Sequence, residues 1–159
     1  MSLLAASGCG SAGAGAGGGV GSSQPLAIRA PVGQPLAQPE LIAHADAICR
    51  RRNTAIDAVK LSGSSPEDIA RFASQSTALE QAALLELGRL RPAAPMAAAW
   101  RQLLEYSEML LQDVVKLGEY GRRHETRLIP ALSRSAGRTK RQLLAAATRD
   151  GFTYCSRVR

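Results

Sequence analysis

A single apolar stripe near the middle of the chain sets the terms for its fold. Met96, Trp100, Leu103, Ser107, Leu110, Val114, Leu117 and Gly121 follow one another at alternating steps of four and three residues. That alternation holds one helix face toward its partners for about seven turns, which is the pattern of a bundle seam. Leu104 and Leu111 widen the stripe beyond what one neighbour covers. A helix from about Met96 to Gly121 therefore needs other helices around it.

The flanking sequence supplies them. Pro39 suits a helical first turn, and Leu41, Ala45, Ile48, Cys49, Ala55, Ile56 and Val59 share a face up to about Leu61, where Ser62-Gly63-Ser64 stops the helix. Ser65-Pro66-Glu67-Asp68 is a strong start signal, combining a capping hydroxyl, a first-turn proline and acids that complement the dipole. Ile69, Phe72, Ser76, Leu79, Ala83, Leu87 and Leu90 then carry a second helix to about Leu90, and Arg91-Pro92-Ala93-Ala94-Pro95 breaks it. A fourth helix begins at Thr126 or Ile129, takes its apolar side from Leu132, Ala136, Leu143 and Ala147, and stops at Asp150-Gly151. The apolar content is mostly Ala and Leu, with two Phe, three Tyr and one Trp, which favours helices over strands. Short connections make the expected fold an all-α, antiparallel four-helix bundle spanning 39–159. That length can bury a core without a metal.

Residues 10–38 read as a disordered tether. Gly10–Ser23 is Gly, Ala and Ser apart from Val20, and Pro25, Pro31, Pro35 and Pro39 follow. Such a coil reaches about 30 Å. Ahead of it, residues 1–9 look like the truncated end of a secretion signal. Ala6-Ser7-Gly8-Cys9 resembles the lipobox of bacterial lipoproteins, in which small residues precede a cysteine that receives a diacylglycerol. Ala6 departs from the Leu usual there, and the basic n-region and most of the apolar h-region are missing. The expectation is that translation starts upstream of Met1; the alternative is an Ala/Gly-rich disordered tail. On the first reading Cys9 is the lipidation site, the acyl lipid is the only group attached, and the protein sits on the extracytoplasmic face of the cell membrane. Several acyl chains would make that anchoring lasting.

Cys49 lies in the first helix and Cys155 just after the fourth. First and last helices are neighbours in an up-down bundle, so the two can form a disulfide; the alternative is a pair of unrelated thiols. Ala45-Asp46-Ala47-Ile48-Cys49-Arg50-Arg51-Arg52-Asn53, Pro95 followed by Trp100, and the closing Gly151-Phe152-Thr153-Tyr154-Cys155 together resemble a family of uncharacterised helical lipoproteins of high-GC Gram-positive bacteria. That resemblance implies paired cysteines and a membrane address, and brings no activity with it.

Charge is uneven. Of the net +7, the stretch from Arg122 to Arg159 carries ten basic residues against Glu125 and Asp150 alone. Arg134, Arg138, Lys140 and Arg141 mark a possible surface for an anionic partner: lipid head groups, an acidic envelope polymer, or nucleic acid. Nucleic acid is disfavoured by the few stacking aromatics. In the first helix Asp46 and Arg50 are spaced to pair across a turn.

No catalytic or metal motif is present. His44 and His124 lie in different segments, and His44 is misplaced for sharing a helix face with Asp46 or Cys49. Cys-x-x-Cys, His-Glu-x-x-His and Glu-x-x-His do not occur. Glu105, Glu108 and Asp113 read as surface carboxylates, and the Gly13–Gly19 run lacks the Lys-Ser/Thr of a phosphate loop. The expected function is a non-enzymatic binding or interaction module at the cell envelope, meeting a polymer or another envelope protein. One alternative is a small-ligand-binding bundle with its pocket near Trp100, Leu103 and Tyr106. The other is a cytoplasmic basic protein associated with nucleic acid, if Met1 is the true start.

Overall fold

The computed structural model describes residues 34–157; Cys9 and the chain through residue 33 lie outside it. Among the described residues four helices run antiparallel in chain order: α1 (Gln38–Ala58), α2 (Pro66–Leu87), α3 (Ala97–Arg122) and α4 (Ile129–Arg149). Single 3-10 turns at Ala94–Met96 and Thr126–Leu128 lead into α3 and α4. No strand is present among the described residues, and none of their helices is long and apolar enough to cross a membrane.

Local chemistry explains the boundaries. Ser65 Oγ accepts the Asp68 N–H at 3.1 Å and donates to its carboxylate at 2.8 Å, so cap and first-turn acid satisfy each other. At the far end of α4, Gly151 takes φ +89°, the Gly151 N–H reaches Thr148 O at 3.2 Å and the Phe152 N–H reaches Ala147 O at 2.9 Å. This is a Schellman ending, and it drives Phe152 inward until 1% of it remains exposed. Leu36, ahead of Pro39, already packs on the bundle. Leu36 donates to Arg91 O at 2.7 Å and accepts from the Ala93 N–H at 2.9 Å, and its side chain is buried. The break between α2 and α3 thus offers backbone groups that the extended chain at Leu36 satisfies, so the packed body includes Leu36.

α2 and α3 pack most closely, and Gly118 and Gly121 permit it. A methyl group at Gly121 would stand 2.7 Å from Pro66 O and 2.8 Å from Ala70 N, so the last position of the α3 stripe serves backbone contact rather than side-chain packing. The core is richest at the end where the chain enters. Leu41, Ala45, Leu87, Trp100, Leu103 and Phe152 meet there, with the Trp100 and Phe152 rings 5.9 Å apart. α1 packs on α2, and α4 on α3, whereas α1 and α4 scarcely meet. The C-terminal segment from Phe152 to Arg157 closes that side.

Candidate functional site

The closing segment is held by α1. Asp46 is 8% exposed, and its carboxylate accepts three successive backbone N–H groups: Thr153 at 2.8 Å, Tyr154 at 2.8 Å and Cys155 at 3.1 Å. One turn on, Cys49 is bonded to Cys155, with Cα atoms 5.1 Å apart. One turn further, Asn53 Nδ2 donates to Tyr154 O at 3.0 Å. Asp46, Cys49 and Asn53 stand three and four residues apart, so a single helical stripe supplies acceptor, covalent link and donor. The expected Asp46–Arg50 pair does not form. The carboxylate is instead taken up by three backbone N–H groups, one of them at the buried Cys155, while Arg50 is exposed. Arg50 lies instead over the Tyr154 ring, 4.1 Å from its centroid, with Arg157 at 5.2 Å from the same centroid.

Asn53 links this clasp to the bundle interior. Its Oδ1 accepts from Arg52 Nε at 3.2 Å and Nη2 at 2.8 Å. Arg52 Nη1 in turn meets Glu80 Oε2 at 3.5 Å, across the α1–α2 interface. The Arg52 side chain is only 4% exposed and that of Glu80 17%. Burial pushes the Glu80 carboxyl above its ordinary range, and Arg52 pulls it only partly back.

Arg52 and Glu80 face a cavity of about 360 Å³. Its walls are aliphatic: Leu110, Val114 and Leu117 from α3, and Leu132, Ala136 and Leu143 from α4. Ser107, Ser133, Asp113 and Lys140 add polar groups. Asp113 and Lys140 are half-buried. The cavity lies away from the chain-entry end, where the core is thinner. It does not involve the residues the sequence suggested. Trp100 and Leu103 are buried filling of the entry-end core, and Tyr106 is a half-buried neighbour whose hydroxyl accepts from Gln102 Nε2 at 3.4 Å. Sequence reading missed Asp46, Arg52, Asn53 and Glu80. The available signal was Arg52, four residues after Ile48 on the apolar side of α1, where a charge demands a buried partner.

The basic residues of α4 are where the pattern put them. Arg134, Arg138 and Arg141 are exposed, Lys140 is half-buried, and none of the four forms an ion pair among the described residues. α4 contains no acidic residue to neutralise them. Arg134, Arg138 and Arg141 lie three or four apart and so share one outer face. Among the described residues no three His, Cys, Asp or Glu side chains converge into a metal site. His44 is half-buried, Glu105 and Glu108 are exposed, and His124 lies 3.6 Å from Glu67 at the opposite end of the bundle.

Comparison with protein-family models, with curated proteins and with solved structures found no match. The functional reading therefore stands on the residues alone.

Proposed function

We propose that the protein is a lipid-anchored, extracytoplasmic helical bundle that acts as a non-catalytic binding module at the cell envelope. The observation that carries this reading is the Cys49–Cys155 disulfide. Structural disulfides belong to oxidising compartments, and pairing two of the three cysteines leaves Cys9 unmatched. Cys9 ends a lipobox-like segment and precedes a tether, which is where a lipid attachment belongs.

On this reading the tether joins the bundle beside Leu36, at the end where α1 begins and α4 finishes. Arg134 and Arg138 lie in the first half of α4 and Arg141 just past its middle, on an exposed face. An anionic envelope polymer, or an acidic face of another envelope protein, suits an array of cations with no internal partners. Nucleic acid is not favoured in that compartment.

Fractionation of the source cells tests the reading. The native protein should enter the detergent phase with the membranes, and Cys9→Ser should move it to the aqueous phase with its disulfide intact. Equal partitioning of the two forms would overturn the anchor.

A further inference from the structure

We infer that the cavity between α3 and α4 is a binding site for a single extended hydrocarbon chain with an uncharged, hydrogen-bonding head, the chemistry of a long-chain alcohol. This goes beyond the envelope reading and does not depend on it.

The shape of the cavity selects the body of the ligand. Its lining runs along α3 from Ser107 to Leu117 and along α4 from Leu132 to Leu143. At the helical rise those stretches are about 15–17 Å long. Spread over such a length, a volume of about 360 Å³ leaves a mean cross-section of about 22–24 Å². That is room for one extended alkyl chain and too narrow for a branched or caged body. The walls are aliphatic with a few polar groups among them, the usual make-up of a small-ligand site. Those polar groups are not spread evenly. Gly118 faces the Ala73 side chain, and α2 and α3 are antiparallel, so Glu80 falls near the level of Leu111. Arg52 and Glu80 therefore stand in the half of the cavity that Ser107 begins. Val114, Leu117, Leu132 and Ala136 wall the other half, where the tail of the chain fits.

The charges of the lining select the head. Two cations, Arg52 and Lys140, stand against two carboxylates, Glu80 and Asp113, so the lining is balanced. Arg52 and Glu80 already satisfy each other at 3.5 Å. A carboxylate head would face Glu80 and Asp113, and an ammonium head would face Arg52 and Lys140. Either brings an uncompensated charge into a partly buried site, at a desolvation cost that nothing there offsets. An uncharged head brings none. Arg52 spends one hydrogen on each of its three nitrogens on Asn53 Oδ1 and Glu80 Oε2. Among the described residues one N–H on each terminal nitrogen is left over, and it can donate to the oxygen of a hydroxyl.

Calorimetric titration of the full, oxidised chain at neutral pH with decanol, decanoate, decylamine and adamantanol reads out head and shape together. Decanol should bind one per chain and at least about tenfold more tightly than decanoate or decylamine. Adamantanol, a caged alcohol of the same carbon count, should not bind. Shortening decanol to octanol should weaken binding about fifteenfold, at about fourfold per buried methylene. Ala136→Trp, which fills the tail half, should abolish decanol binding. Arg134→Glu, on the outer face of α4 and outside the lining, should leave it within about twofold, as distant independent sites do. Helical circular dichroism and the intact disulfide certify that each variant is folded, and the comparison of ligands on the native chain stands whether or not Ala136→Trp folds. Decanoate or decylamine within about tenfold of decanol, saturable adamantanol binding, undiminished decanol binding by a folded Ala136→Trp, or no saturable decanol binding would each overturn the proposal.

Discussion

Asp46 accepts the backbone N–H of Cys155 at 3.1 Å, and Cys155 is the residue bonded to Cys49 one turn along the same helix. The carboxylate that fixes the backbone of the C-terminal segment and the sulfur that fixes its side chain therefore share one stripe of α1. Each constrains the geometry the other needs. Because α1 and α4 scarcely meet, this clasp is what joins the first helix to the last.

Removing the carboxylate leaves three backbone donors, one of them at the buried Cys155, without their acceptor. Asp46→Ala should cost about 3 kcal/mol, given that charge-assisted bonds each contribute more than neutral ones and that stranded donors carry a desolvation penalty. Urea unfolding with the disulfide intact measures it, and Asp46→Asn, which keeps an acceptor, should lose less. A loss below about 1 kcal/mol for Asp46→Ala, no more than one ordinary hydrogen bond, would show that water replaces the carboxylate freely.

The disulfide spans 106 residues of sequence. In the chain-entropy model a loop of that length stabilises by about 4–5 kcal/mol. Reduction, or a Cys49→Ser/Cys155→Ser double variant, should lower the urea midpoint accordingly. The helical circular dichroism at zero denaturant should persist, since α2 and α3 pack independently of the clasp.

Two glycines of similar standing in the sequence should respond in opposite senses. Gly121→Ala forces a methyl group against Pro66 O and the Ala70 backbone and should destabilise by about 1–3 kcal/mol. Gly137→Ala meets nothing nearer than Arg141 Nη1 at 3.8 Å, and in mid-helix it should stabilise by about 0.5–1 kcal/mol. Thermal unfolding of the two variants side by side decides it.

Much of the bundle is legible in the amino-acid sequence. The four-three alternation of α3, the Ser65-Pro66 start and the Asp150-Gly151 stop are local signals, settled by residues within a turn of one another. The clasp and the buried pair are not local. Asp46 finds its donors more than a hundred residues away, so its short-range spacing to Arg50 pointed to the wrong partner. Arg52 sits inside an Arg-Arg-Arg run that points three charges around the helix, and only its neighbours Arg50 and Arg51 reach the surface. One expectation places a pocket near Trp100, Leu103 and Tyr106. Here Phe152, delivered inward by the α4 ending, packs against Trp100 and fills that end.

Arg52 and Glu80 should behave as a coupled pair. Arg52→Met or Glu80→Leu alone leaves one buried charge uncompensated and should cost about 3 kcal/mol, whereas the double variant should recover most of that loss. The pH dependence has a defined sign. Glu80 titrates higher in the folded chain than in the unfolded one, so its contribution to stability is fully present below the unfolded value and is lost as pH rises through the folded one. Glu80→Gln should remove that declining component from the curve of unfolding free energy against pH. An unchanged slope on the alkaline side of the ordinary carboxylate range would show that the group does not titrate anomalously.

The chain's three cysteines are the most direct point of attack. Non-reducing peptide mass mapping of the protein isolated from its own cells should find Cys49 joined to Cys155 and a diacylglyceryl adduct on Cys9. Free thiols at Cys49 and Cys155 together with an unmodified Cys9 would contradict both the clasp and the anchor.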